Sequence, residues 1–207
     1  MSETSFAASP TVPDTGDGSP DRPLRIAVIA GSVRDQRMGR TVAEWAAFRA
    51  AAGGTVEVDL IDCAECALPD DAELRPGGSS GSPVSGRIAA ADAYVFVTPE
   101  YNHSYPAGLK RLIDWHYREW MFKPATVVSY GVQGGLLATE HLRAVFAELH
   151  MVTTRRVAAL ARPWDHLTPA GYQPPEEVAG MLDGALHELG WWAGVLRTAR
   201  REQPYAR

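Results

Sequence analysis

A chain of 207 residues, 45% of them hydrophobic, can bury one substantial core and is too short for two ordinary domains. Its formal net charge of -5 argues against nucleic acid or an anionic membrane surface as a partner, since both favour a basic face. No run approaches the roughly 20 apolar residues of a membrane span, and no apolar run follows a basic start, so a cytoplasmic protein is expected.

Residues 1–23 are rich in Ser, Thr, Pro, Gly and Asp and hold hardly any large apolar side chain, which predicts a disordered tail ahead of one domain over 24–207. Leu24 to Ala30, "LRIAVIA", has the continuous apolar character of a buried strand, and Arg40 to Ala52 spaces Val42, Trp45 and Phe48 as a helix. Thr55 to Ile61 alternates as a strand. A loop from Asp62 to Pro83 leads to a short helix around Val84 to Asp92, and its "GGSSGS" suits either a substrate lid or disorder. Cys63-Ala-Glu-Cys66 within it has the spacing of a redox pair or half a zinc site. No second half is present, and Pro69, Asp70 and Asp71 suggest loop where a redox pair opens a helix; ordinary reduced thiols are expected.

Then follow the strand "AYVFVT", a helix from about Pro106 to Trp120, the strand Ala125 to Tyr130, a helix from about Gly135 to His150 and a strand near Val152 to Ala159. A last helix from Glu176 to about Arg201 carries Val178, Leu182, Leu186 and Leu189 on one face, with acids at its start and arginines at its end. Five strands alternating with helices predict an α/β fold, a doubly wound five-stranded parallel sheet covered by helices on both faces. In the common order 2-1-3-4-5 the sheet reverses between strands one and three, and ligands bind outside the carboxyl ends there. The ligand loops are then "GSVRDQRMGR", Gly31 to Arg40, and "PEYNHSYPAG", Pro99 to Gly108.

The first of these joins a strand to a helix, where backbone N–H groups and the positive end of a helix dipole meet. With the Ser32 hydroxyl and the guanidinium groups of Arg34 and Arg37 it makes a phosphate cup. Seven residues separate Gly31 from Gly39, too many for a Walker A loop, and the glycines of a dinucleotide fingerprint are missing. A terminal monophosphate such as that of FMN suits it better. The second loop lacks any matched nucleophile, metal motif or carboxylate pair that would make Glu100 and His103 an acid and base. A short polar loop entering a helix near Pro106, with Gly108 in its first turn, instead offers backbone donors and acceptors to a flat heterocycle with polar edges.

"PEYNHSYPAGLKRLIDW", with "GSVR" upstream, resembles the NADPH-dependent FMN reductase family of flavodoxin-like quinone, azo and chromate reductases, over roughly Leu24 to Val157. The resemblance implies a noncovalent FMN at the strand ends. Ser32, Arg34, Met38 and Gly39 then surround its phosphate, as does Arg37, although relatives often place Ser or Asn in that half of the loop. Pro99, Glu100, Tyr101 and Asn102 line the isoalloxazine and ribityl chain, and the glycine-rich stretch Ser129, Tyr130, Gly131 to Gly134 and Gly135 lies beside the ring. Tyr101 can stack near the flavin or cap the sheet; Asn102 can bond the flavin, make a local turn, or both. Trp115, Tyr117 and Trp120, and likewise Trp191 and Trp192, suit either core or a subunit contact. His116, His141, His150 and His187 lack metal-ligand spacing, and no metal is expected.

The implied chemistry is hydride transfer from NADPH or NADH to FMN, then electron transfer to a small-molecule acceptor such as a quinone, azo dye, flavin or metal oxyanion, in ping-pong order. No side-chain acid or base is needed. The family also implies a homodimer or homotetramer. The alternative is a flavodoxin-like electron carrier that does not itself oxidise nicotinamide.

Overall fold

A computed structural model of the chain describes residues 22–75, 77 and 81–205. The strands β1 (Leu24–Ala30), β2 (Val56–Asp62), β3 (Ala93–Pro99) and β4 (Pro124–Gly131) run parallel in the order β2-β1-β3-β4, with β5 (Val152–Thr153) beyond β4. Between them lie α1 (Gly39–Ala51), α2 (Ser85–Ala90), α3 (Ala107–Asp114) and α4 (Leu136–Glu148). This is the flavodoxin-like order 2-1-3-4-5. Val28 sits opposite both Leu60 and Val95, fixing the register of the three strands that bracket the switch point.

Because successive side chains point to opposite faces, each apolar strand feeds two cores. Ala27, Ile29, Tyr94 and Phe96 face α2, α3 and α4, where the Phe96 ring centroid lies 4.5 Å from Phe146 and 5.8 Å from Trp120. Ile26, Val28, Val95 and Val97 face α1 and the long C-terminal helix, α5 (Glu176–Glu202). Trp115 and Trp120 are fully buried, so of the ambiguous aromatics these two are core, whereas Trp191 is 61% exposed.

Two elements differ from the sequence pattern. The helix expected over Pro106 to Trp120 ends at Asp114 because side chains take its last carbonyls: the His116 ring donates from Nδ1 to Leu112 O at 2.8 Å, and the Trp120 indole donates to Ile113 O at 3.1 Å. The fifth strand is broken into β5 and β6 (Ala158–Ala161): Ala125 faces Thr153, but Val128, three residues on, faces Ala158, five residues on. The step is held by the Thr154 hydroxyl, 2.8 Å from Thr126 Oγ1, and by the Glu188 carboxylate of α5, which accepts from the Arg155 and Arg156 N–H groups. A short hairpin, β7 (Leu167–Thr168) with β8 (Gly171–Tyr172), was not legible in the sequence; Tyr172 packs edge-on against Trp45 of α1.

Of the expected tail, residues 1–21 lie outside the described part. Arg22 is anchored: it donates to both carboxylate oxygens of Asp92, at 2.7 and 3.0 Å, at the end of the sheet where the strands begin. The loop after β2 is pinned at Asp71, to which Arg111 of α3 and the Trp115 indole just past it both donate. Residue 76, and residues 78–80 within "GGSSGS", are outside the described part. Cys63 and Cys66 are free thiols. Burial pushes both up, Cys66 to about 11, which keeps them protonated and unreactive.

His116 is 1% exposed, and burial lowers its pKa; its carbonyl partner at Leu112 and the nearby Glu119 oppose the shift. With Nδ1 donating to a carbonyl, the single Nε2 lone pair accepts from the Ser82 hydroxyl 2.9 Å away, while Ser85, 3.0 Å from Nε2, donates to Ser82, and this pins the start of α2. The folded state thus prefers neutral imidazole. Unfolded chains bind the extra proton below about 6.5, so stability falls on acidification from there down to the lowered folded value, by up to about 1.4 kcal/mol per pH unit. Urea midpoints measured from pH 7.5 to 5 should show this slope in the native protein and a shallower one in His116→Gln; equal slopes would assign the acid sensitivity elsewhere.

Candidate active site

Three loops meet at the carboxyl ends of β1, β3 and β4, where the strand order predicts a ligand. The first, residues 31–38, is held at its start by close approach. Gly31 donates to Val97 O at 2.8 Å, and a Cβ there would come within 3.0 Å of Leu109. Gly108, in the first turn of α3, leaves room for Val33, whose Cγ1 a Cβ would meet at 2.6 Å.

Ser32 is buried, with Oγ 3.0 Å from the hydroxyl of Tyr101 in the second loop. The exposed Arg34 lays its guanidinium 3.7 Å from the centroid of the same tyrosine ring, so one residue of the second loop clasps two of the first. Arg37 turns the other way. Its Nη2 donates to the buried Asp62 at the end of β2 (2.8 Å) and its Nη1 to Arg34 O (3.3 Å), so it braces the loop from behind. Met38 precedes α1, which starts with no capping side chain and no acidic residue in its first turn. The positive end of that helix is open to an anion.

In the second loop Pro99 ends β3, and Glu100 donates its N–H to Tyr130 O at 2.9 Å. The Glu100 carboxylate accepts from the N–H groups of Leu137 and Ala138, at 3.0 and 3.3 Å, and so closes the start of α4. It is a structural cap there. Tyr101 and Ser104 exchange both backbone hydrogen bonds, at 2.8 and 3.0 Å, across a two-residue turn in which Asn102 (φ +50°) and His103 (φ +66°) are both left-handed. Asn102 is exposed at the tip, and this places it in a local turn while leaving its amide outward. His103, mostly exposed, stands 3.7 Å from Glu100.

In the third loop the buried Ser129 hydroxyl donates to Gly134 O at 2.7 Å, shaping a turn in which Gly134 and Gly135 take φ of +83° and +75°. At Gly135 a Cβ would lie 3.0 Å from Tyr130 N, so only glycine fits. Gly131 O accepts from the N–H of Arg162, just past β6 and itself left-handed. Tyr130 does not join this turn: it points to the opposite face from Ser129, with its hydroxyl against Gly39 and Ser32. Sequence reasoning missed Asp62 and Arg162, which engage the loops across the fold; it singled out Gly108 as a glycine opening a helix, without the room it leaves for Val33. Among the described residues no group of three or more His, Cys, Asp or Glu could hold a metal ion.

The site is thus a donor-rich cup at an open helix start, beside two backbone-lined loops and without a free acid–base pair. Residues 24–165, from the first strand through all three loops, match the NADPH-dependent FMN reductase family. An NAD(P)H-dependent FMN reductase of Schizosaccharomyces pombe is 33% identical over 194 residues, covering 87% of this chain and 94% of its own length. A 2-hydroxy-1,4-benzoquinone reductase of a Burkholderia species is 32% identical over 136 residues, covering 62% of this chain and 73% of its own. Among solved structures, the flavoenzyme NAD(P)H:(acceptor) oxidoreductase FerB of Paracoccus denitrificans superposes with a TM-score of 0.67 at 26% identity, over 82% of this chain and 97% of that one. With the fold, the order of the loops and near full-length likeness in agreement, this chain belongs to the NADPH-dependent FMN reductase family.

Proposed function

We propose that this chain is an NAD(P)H-dependent oxidoreductase that holds FMN at the three loops and reduces a small-molecule acceptor, a quinone, azo compound, flavin or metal oxyanion. Donor and acceptor use one site in turn. The observation that carries the reading is the first loop: an uncapped, acid-free helix start with Ser32 and Arg34 beside it is built for a terminal phosphate. A cup of donors with no carboxylate in the helix's first turn fits FMN.

When bound, FMN supplies the hydride-accepting and electron-donating chemistry. Ser32, Arg34, Met38 and Gly39 hold its phosphate, and Arg37, tied to Asp62, keeps their loop in place. Pro99, Glu100, Tyr101 and Asn102 border the ring and ribityl chain on one side, and Ser129, Gly131 and Gly134 on the other. Glu100 spends its carboxylate on the start of α4 and moves no proton, which accords with hydride transfer needing no side-chain acid. The exposed Trp191 accords with assembly into a homodimer or homotetramer. No helix among the described residues is long and apolar enough to cross a membrane; free Cys63 and Cys66 accord with work in the cytoplasm.

The test is to titrate the apo-protein with FMN and riboflavin and then to vary NADPH and a quinone together. Tight FMN binding, weak riboflavin binding and parallel double-reciprocal lines are expected. Intersecting lines would require both substrates bound at once, and FMN binding without nicotinamide oxidation would leave an electron carrier.

A further inference from the structure

The chain leaves β6 at Ala161, which faces Gly131 of β4, so residues 162–165 emerge at the carboxyl end of the sheet beside the third loop. Two close contacts fix them there. The Arg162 N–H donates to Gly131 O at 2.8 Å, and a Cβ on Gly134 would meet Ala159 Cβ at 3.3 Å. Two large apolar side chains, Val132 and Trp164, stand exposed on the two segments that this hydrogen bond joins.

Arg162 holds a left-handed backbone, φ +46°, which glycine or asparagine takes at less cost. An arginine kept in that conformation points to a use for its side chain. Its guanidinium lies 5.7 Å from the Trp164 ring centroid and donates to Asp165 from Nε at 2.8 Å and from Nη2 at 3.3 Å. Both members of this ion pair are about half exposed, so water screens it and the pair holds the arginine in place without consuming it. Arg37 differs, since the Asp62 carboxylate that holds it is fully buried.

The phosphate cup follows β1, and Arg162 follows β6, with β3 and β4 between them. Three strand spacings put the two about 14 Å apart, too far for one phosphate to use both. With FMN phosphate in the cup and its ring at the second and third loops, Arg162 lies beyond the ring, where the charged end of a nicotinamide donor stacked on that ring would extend. An exposed aromatic face beside a guanidinium matches adenine with a phosphate on its ribose. Arginine accommodates a 2′-phosphate there, through paired charge-assisted bonds to a group of nearly two negative charges that an exposed carboxylate cannot match.

We propose that Arg162 and Trp164 form the subsite for the adenosine end of the nicotinamide donor, with Trp164 against the adenine and Arg162 on the 2′-phosphate, so that the chain prefers NADPH to NADH. Asp165 holds the guanidinium until the phosphate replaces it. The inference rests on the FMN and NAD(P)H reading above and gives that site a second anion-binding group, separate from the phosphate cup.

The experiment uses FMN-loaded protein, native and with Arg162→Gln, Trp164→Ala or Asp165→Asn, after thermal melting has confirmed folding. Calorimetric titration with adenosine 2′,5′-bisphosphate, the adenosine end of NADPH without its nicotinamide, is compared with adenosine 5′-monophosphate. The native protein should bind the bisphosphate roughly tenfold more tightly. Arg162→Gln should abolish that difference, Trp164→Ala should weaken both ligands, and Asp165→Asn should tighten the bisphosphate alone. With a quinone as acceptor, Arg162→Gln should lower kcat/KM for NADPH roughly tenfold and leave that for NADH unchanged. A native protein that binds the two fragments alike, or an Arg162→Gln variant that loses NADPH and NADH equally, would overturn the subsite and leave the FMN reading intact. Loss of bound FMN from Arg162→Gln would also overturn it, by showing that Arg162 shapes the third loop instead. A native protein that takes up no FMN would overturn the reading on which the subsite rests.

Discussion

Asp92→Ala is expected to cost about 3–5 kcal/mol of folding stability, a large share of the roughly 5–15 kcal/mol that holds a domain together. The carboxylate is 2% exposed. It accepts from Arg22 at 2.7 and 3.0 Å, from the Arg25 N–H at 3.0 Å and from Arg200 at 3.4 Å, with Arg197 3.8 Å away. Three guanidinium groups from the two ends of the chain thus share one buried anion. Its removal leaves them repelling one another in a place where water screens poorly, and takes the acceptor from the Arg25 N–H at the start of β1. Asp92→Asn keeps an acceptor for Arg25 and loses only the charge, so its cost should be smaller. The cluster sits where the strands begin, at the opposite end from the three loops, so the FMN affinity of folded molecules should not change. Urea unfolding of both variants measures this; a loss under 1 kcal/mol for alanine would mean that the arginines relax into solvent.

What the sequence made legible follows from the range of the interactions that decide each feature. Continuous apolar runs such as "LRIAVIA" and "AYVFVT" have no other stable home than a sheet covered on both faces, and the strand order then set the loops that hold the site. The end of α3 was not legible, because Pro106 to Trp120 keeps a helical apolar spacing while the side chains of His116 and Trp120 take the carbonyls that would continue it. The break in the fifth strand depends on Glu188, 33 residues from its partner Arg155. Within the site the same rule holds. Ser32, Arg34 and Gly39 lie in the strand-to-helix loop that the sequence itself singles out, so their place could be read from it. The engagement of Arg37 with Asp62, of Glu100 with the start of α4, and of Tyr130 with Gly39 are all made across the fold, and each changes what its residue does.

Arg34→Ala should weaken FMN binding about 10- to 100-fold, the loss of one charge-assisted contact of roughly 1.5–3 kcal/mol to a phosphate. The exposed guanidinium reaches the cup from the outside of the loop. Its plane over Tyr101 holds it there without tying its donors to a carboxylate, in contrast to Arg37, which Asp62 has already claimed. Two contributions can be separated by the ligand. Riboflavin lacks the phosphate, so it should bind Arg34→Ala as it binds the native protein, unless the stack on Tyr101 also orders the ring-side loop. In that case riboflavin would weaken too, by the smaller amount a cation–π contact supplies, about 0.5–1 kcal/mol at an exposed site. Arg34→Lys keeps the charge and loses the planar stack, and should fall between. The native difference between the two flavins should also shrink with added salt, since part of it is charge attraction at an exposed site. If Arg34→Ala binds FMN as tightly as the native chain, the phosphate is held by the helix start and the hydroxyls of the cup, and the guanidinium serves only to clasp the two loops.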